Sequence, residues 1–477
     1  MPLRRRRAAC LALAAALTTG AIGPCTASPG PAGLQPPAAS LALGRDVLKE
    51  LVEINSTHAF GSTVAAKAMA ARFLAAGFAP ADVRVLIPDG HPTKGNVVVR
   101  LRGSGRGKPV LYIGHLDVVE ARREDWTYDP FVLTEADGWL YGRGTIDMKG
   151  QDAAMLTGLV RLKQEGFRPK RDIIVAFTAD EEAGGDFSGI DWLLKTHRDL
   201  IDASLVINPD GGEAGVKHGR KLYVAVQTAE KIFVTYRIEA TDKGGHSSRP
   251  TADNPIYRLS RALGRIAGHE FPTDLTATAR AYFTRRAALE TGQVQADMRD
   301  IGAGAASPET IRRLSAQVET NILMRTTCVA TQVEAGQGES ALPERARATI
   351  QCRVIPGEPV GDIQTALIAA VDDPKVALTV FTPETPSPES PPSPAVVGAV
   401  EAVAKGMWPE VTVLPTMSPG ASDSAFTRQA DMASYGVDGM FDDLDDGRAH
   451  GRDERIGVQA FGEELEFTYR LMKRLAS

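Results

Sequence analysis

The sequence predicts an α/β domain built on a mixed sheet and interrupted by an α+β insertion, and three observations point to it. Short apolar runs bounded by turns alternate with helical periodicity in the first half of the chain. From about residue 226 the pattern changes to long alternating, strand-like runs. After about residue 357 the α/β character returns. In order, helices are expected over residues 45–54, 62–75 and 148–164, and strands over 96–101, 110–113, 173–178 and 205–207. The insertion is expected over 226–357, with strands at 233–240, 322–333 and 347–354 and a helix over 254–266. The main domain then comprises 43–225 and 358–477, with a Pro/Ser-rich loop at 382–394 and an amphipathic helix over 461–475.

With 477 residues, 43% hydrophobic and 24% charged, the chain has room for two or three domains and a sizeable core. A formal net charge of -5 supplies no global basic field, which argues against nucleic acid and for small solutes. Four arginines at 4–7 precede an apolar run over 8–22 that ends near Cys25-Thr26-Ala27, the layout of a signal peptide over 1–27. The run is shorter than the ~20 residues that cross a bilayer, and Pro24 closes it, so export without stable membrane insertion is expected. Residues 28–42, rich in Pro, Ala, Ser and Gly, read as a flexible leader. Cys10 and Cys25 fall in the signal; Cys328 and Cys352 remain, as one structural disulfide or as two buried thiols.

Five elements carry chemistry. His115 follows a strand-like run, and Asp117 is placed to fix the ring nitrogen that a metal leaves free. Asp147 sits in a run of glycines (142, 144, 150) just ahead of a helix, where it serves either as a helix cap or as a carboxylate bridging two metals. Asp180-Glu181-Glu182 follow an apolar strand, where adjacent acids repel unless cations hold them. They can then divide labour, one ligating and one acting as general base. Asp210 ends another short apolar strand, and His450 stands in a late Gly447-Arg448-Ala449-His450-Gly451 turn. Together these oxygen and nitrogen donors suit zinc, with cobalt or manganese able to use the same set.

On those five motifs the chain resembles the superfamily of two-zinc peptidases and amidohydrolases that includes aminoacylase, glutamate carboxypeptidase, carnosinase-type dipeptidases and succinyl-diaminopimelate desuccinylase. The resemblance implies a zinc-peptidase catalytic domain with an inserted lid and dimerisation domain. It implies that His115 and Glu182 hold one zinc, Asp210 and His450 the other, and Asp147 both, with Glu181 as general acid/base and Asp117 orienting His115. Gly244-Gly245-His246-Ser247-Ser248-Arg249-Pro250 resembles the lid motif whose histidine stabilises the oxyanion, often from a partner subunit, so a homodimer is implied. Arg353 matches the family's substrate-contacting arginine, and Ser340 stands at the position of its asparagine. Pro419-Gly420-Ala421-Ser422-Asp423 resembles the family's substrate loop, which places Gly420 and Ser422 beside the substrate.

The expected activity is that of an exported dizinc metallopeptidase, cleaving dipeptides or short peptides in the manner of a carboxypeptidase or dipeptidase through a metal-bound water activated by Glu181. The alternatives are an N-acyl amino-acid amidohydrolase, which needs the same metals and the same carboxylate grip, and a non-catalytic metal-binding dimer. Glu181, present beside every expected ligand, argues against the last. His58, His91, His197, His218 and His269 match no ligand spacing and read as surface or packing residues.

Overall fold

The computed structural model describes residues 34–182, 187–382 and 385–477. The expected signal peptide and the first part of the leader lie outside these residues. The rest of the leader differs from expectation: helix Ala38–Glu53 begins inside it, directly after Pro37, because the apolar positions Val47, Leu48, Leu51 and Val52 bury that helix against the core.

The strands Val110–His115 and Ile173–Thr178 are buried along their whole length and pair in parallel, with His115 opposite Thr178. Leu205–Ile207 pairs in parallel on the other side of Val110–His115. Successive side chains point to opposite faces, so Val110 and Tyr112 enter one core while Leu111 and Ile113 enter another. A sheet apolar on both faces needs cover on both. Helix Lys149–Gln164 supplies it on the first face, with Ala38–Glu53 and Val458–Leu475 packed against it. Helices Gly189–Thr196 and Ser424–Gln429 supply it on the second.

This sheet has ten strands and is mixed. Its order runs Val83–Leu86, Asn96–Leu101, Ile173–Thr178, Val110–His115, Leu205–Ile207, Ser434–Val437, Arg220–Glu230, Ala214–Lys217, Phe441–Asp443, with Thr412–Ser418 also pairing on Arg220–Glu230.

A second, antiparallel sheet of four strands runs Thr327–Ala335, Arg345–Val354, Ile232–Thr241, Val376–Thr382. Its limits differ from the expected 226–357 at both ends. Arg220–Glu230 stays in the large sheet to its last residue, and only Lys231 separates it from Ile232–Thr241. At the other end Leu378 pairs with Ile238, and helix Val360–Val371 buries Ile363, Leu367 and Val371 in the same core, which carries the smaller unit to residue 382. The expected strand over 322–333 starts late, because its first residues complete helix Val318–Met324. Cys328 and Cys352 face each other in register and are joined by a disulfide, with Cα atoms 4.1 Å apart.

Candidate metal centre

Parallel strands deliver their C-terminal ends to one edge of the sheet, and the functional residues gather there. His115 is the last residue of its strand, Asp180 to Glu182 follow Ile173–Thr178, and Asp210 lies in a turn, Pro209–Gly211, after Leu205–Ile207. Asp147 precedes helix Lys149–Gln164, and the Asp147–Met148 peptide is cis. Gly144, with φ +86°, permits the tight turn that brings this loop to the site. His450 comes from a turn in which it adopts φ +61°.

Five side chains meet as two groups sharing one member. His115, Asp147 and Asp210 form the first and Asp147, Glu182 and His450 the second, with the potential ligand atoms of each group within 4.8 Å of one another. Oδ1 of Asp147 is 3.1 Å from His115 Nε2, and Oδ2 is 3.0 Å from His450 Nε2, so its two oxygens face different groups. Glu182 Oε1 lies 2.9 Å from His450 Nε2. The expected partition is therefore corrected: His115 goes with Asp210, and Glu182 with His450. Order along the chain says nothing of which ligands converge; the turn that carries His450 approaches from the Glu182 side.

The charges fit dications. Burial and the neighbouring Asp147 push the Asp210 carboxyl up to about 8. Burial and the Asp210 charge raise Glu181 as well. Burial also disfavours ionised Asp147, yet hydrogen bonds from His115 and His450 outweigh it and hold that carboxyl well below the usual range. Four crowded acids with two imidazoles are what two bound cations would neutralise, and the mixed oxygen and nitrogen donors are the kind such ions take.

Asp117 does more than expected. Its backbone carbonyl accepts from His115 Nδ1 at 3.0 Å, which turns Nε2 toward Asp147. Its carboxylate, 3.9 Å from the ring, instead accepts the backbone N–H groups of Glu181 and Glu182 at 3.2 and 3.0 Å. One residue thus positions a ligand on one strand and the acid pair on the next.

Further partners were not evident in the sequence. Lys94, almost fully buried, donates to Asp180 at 2.6 Å, and Asp180 adopts φ +59°, an uncommon conformation for a residue other than glycine. His58, expected to be a surface or packing residue, is largely exposed and has Nδ1 3.2 Å from the Lys94 ammonium. Glu454, fully buried, accepts backbone N–H groups from the Asp147 loop. The sole sequence signal for Glu454 is an acid four residues after His450.

Of the expected substrate contacts, His246 and Ser340 come together where Gly245–His246 pairs with Ala341–Leu342. His246 is exposed on the short strand Gly245–His246, its Nδ1 engaged by the Ser248 hydroxyl at 2.8 Å. Arg353 is half-buried with its guanidinium over the Phe233 ring at 4.9 Å. Ser340 is exposed, and its carbonyl accepts from Ser247. The Gly420 N–H donates to the Ser418 hydroxyl. Ser422 departs from expectation: it is buried, its hydroxyl bonded to Glu230 and accepting from Asn208 Nδ2 at 3.2 Å, so it braces the loop from behind.

The chain is similar to known proteins in sequence and in fold. The chain is 28% identical to a probable carboxypeptidase S-like protein of Dictyostelium discoideum, over 77% of this chain and 71% of that one. It is 26% identical to a human N-fatty-acyl-amino acid synthase/hydrolase, over 77% and 74% of the two chains. Its fold matches an M20 family metallo-carboxypeptidase from Sulfolobus solfataricus with a TM-score of 0.67 at 19% identity, covering 91% of this chain and 99% of the other. The sequence matches the description "Peptidase family M20/M25/M40" over residues 111–474, a span that holds every ligand of both groups. With fold, ligand set and sequence in agreement, the chain belongs to peptidase family M20/M25/M40 and is a metallopeptidase or amidohydrolase.

Proposed function

We propose that this protein is an exported dizinc hydrolase that cleaves the amide bond of dipeptides or short peptides, releasing an amino acid. The observation that carries the reading is the placement of Glu181: it adjoins the ligand Glu182, and Asp117 holds the backbone of both. His115, Asp147, Asp210, Glu182 and His450 would hold the ions, which when bound supply Lewis acidity toward a carbonyl oxygen and acidify water. Glu181 takes a proton from the attacking water and returns it to the leaving nitrogen, so a single carboxylate serves both halves of the reaction. Burial, with the Asp210 charge beside it, raises its pKa, which supports a proton-carrying role. In this reading a homodimer forms through the smaller unit, and His246 of a second copy meets the oxyanion. Arg353, Ser340 and the Gly420 loop grip the substrate carboxylate. Export is supported by the basic-then-apolar start of the sequence and by the Cys328–Cys352 disulfide, a bond typical of oxidising compartments. No helix among the described residues is long and apolar enough to cross a membrane.

A second reading, N-acyl amino-acid hydrolysis, is favoured by one feature. A cavity of about 290 Å³ has an apolar wall of Ile146, Met440, Phe441, Leu444 and Ile456 and an acidic one of Glu213, Asp438, Asp442 and Asp443, and Ile146 adjoins Asp147. The apolar wall suits an acyl chain, the class of substrate in the human relative's name. The test is a panel of dipeptides against N-acetyl and N-fatty-acyl amino acids, run on wild type and Glu181→Gln. The variant is expected to retain metal and lose turnover by at least 100-fold, as general acid–base catalysis of ~10²–10⁴ implies. Near-normal turnover with metal fully bound would sink the assignment.

A further inference from the structure

Glu454 lies among no ligand group, yet more of the site's backbone converges on it than on any ligand. One carboxylate oxygen accepts the N–H of Ile146 at 2.7 Å and of Asp147 at 3.1 Å. The other accepts the N–H of Gly144 at 3.0 Å and the Arg143 guanidinium at 2.6 Å. Glu454 is 0% exposed and Arg143 2%. Arg143 also donates to the carbonyl of His450 at 3.3 Å, and the indole of Trp126 lies 5.0 Å from its guanidinium carbon. The Gly142 N–H donates to the Glu454 carbonyl at 3.0 Å, which ties the same two segments a second time.

We propose that Glu454, with Arg143, is the positioning residue of the metal centre: it sets the distance between Asp147, common to both ligand groups, and His450. The proposal rests on the metal reading above. The physical case is that Thr145 and Met148 anchor the loop in the core while the backbone N–H groups of Gly144, Ile146 and Asp147 all turn to Glu454 as their acceptor, so the direction in which Asp147 points is set by that carboxylate. A buried carboxylate taking three N–H groups and a guanidinium is a strong, directional anchor. His450, half exposed, is four residues from Glu454 in sequence and bonded through its carbonyl to Arg143. One ion pair therefore fixes both sides of the second ligand group, and a shift of it would move Asp147 away from His450. The buried carboxylate has a full set of partners, although the Arg143 Nε has none, and a carboxamide at 454 would turn an N–H donor toward at least one backbone N–H.

The experiment measures Zn²⁺ affinity of the metal-depleted full-length chain by competition with a chelating dye, for wild type, Glu454→Gln, Glu454→Asp and Asp297→Asn. Asp297 is the control: it is a buried carboxylate paired with Arg313 at 2.6 Å in the helical part of the insertion, with no contact to the ligand segments. Glu454→Gln is expected to bind zinc ~10–100-fold more weakly, the usual effect of removing an outer partner of a ligand. At saturating zinc its kcat should rise toward wild type with KM unchanged, a recovery that general destabilisation does not produce. Glu454→Asp keeps the charge for Arg143 but withdraws from the loop N–H groups, and is expected to lie between the two. Asp297→Asn should unfold more easily and bind zinc normally. Wild-type zinc affinity in either folded Glu454 variant, or equal weakening in Asp297→Asn, overturns the proposal. A wild-type chain that binds neither zinc, cobalt nor manganese overturns the metal reading along with it.

Discussion

The carboxylate of Asp117 receives the backbone N–H of Glu182 at 3.0 Å, and through this bond the end of one central strand governs the turn that follows its neighbour. Asp117→Asn keeps one acceptor but turns an amide N–H toward Glu181 or Glu182. The acid pair should rotate out of position, lowering kcat by about 10–100-fold while most of the metal stays bound. Steady-state kinetics beside metal analysis checks this; loss of metal with kcat per bound metal unchanged would contradict it.

Lys94 compensates Asp180 where both are almost fully buried, and Asp180 precedes Glu181, the proposed general base. Lys94→Met leaves that carboxylate buried without its cation, and removing one partner of a buried pair costs about 3–5 kcal/mol. Urea unfolding should show a loss of this order, together with reduced kcat. An unchanged midpoint would mean that His58 takes over the pairing.

Lys231 donates to the Arg325 carbonyl at 2.6 Å, and burial pushes its pKa down from 10.5 to about 7, Glu358 opposing only in part. The folded state gives up this proton first, so between about pH 7 and 10.5 the unfolded chain binds more protons and stability rises with pH. Lys231→Met should abolish a gain on the order of 4 kcal/mol across that window. Chemical denaturation of both proteins from pH 6.5 to 10 measures it, and parallel pH profiles would refute the burial argument.

The disulfide between Cys328 and Cys352 closes a loop with a sequence separation of 24. Replacing both by serine should cost about 3 kcal/mol, mainly by freeing the unfolded chain. Because both cysteines lie in the smaller sheet, zinc affinity should be unaffected. Denaturation and dye competition on the Cys328→Ser/Cys352→Ser protein test the two statements separately.

The parts of this molecule legible in its sequence are those governed by local rules. Strand Ile173–Thr178 is an uninterrupted apolar run and helix Val458–Leu475 an amphipathic one, so each announces itself. The limits of the smaller unit were misplaced because strand Val376–Thr382, apart from Leu378, is mostly exposed; its pairing with Ile232–Thr241 joins residues far apart in the chain. In the site, His115, Asp147 and Glu182 are conspicuous in their motifs, whereas the partition of ligands depends on which turns converge. Glu454 and Lys94 were illegible because a single charged residue in a loop carries no sign of what it will face.

The candidate ligands run from His115 to His450, and the last of them belongs to a turn that lies just ahead of helix Val458–Leu475. The first group, His115, Asp147 and Asp210, comes from segments that precede residue 211, whereas the second needs the turn that carries His450. On the proposed metal reading, the dinuclear site closes only once the turn carrying His450 has docked, and ion binding then stabilises that contact. On that reading, the medium in which the His450 turn docks sets which of zinc, cobalt or manganese is on offer to the completed ligand set.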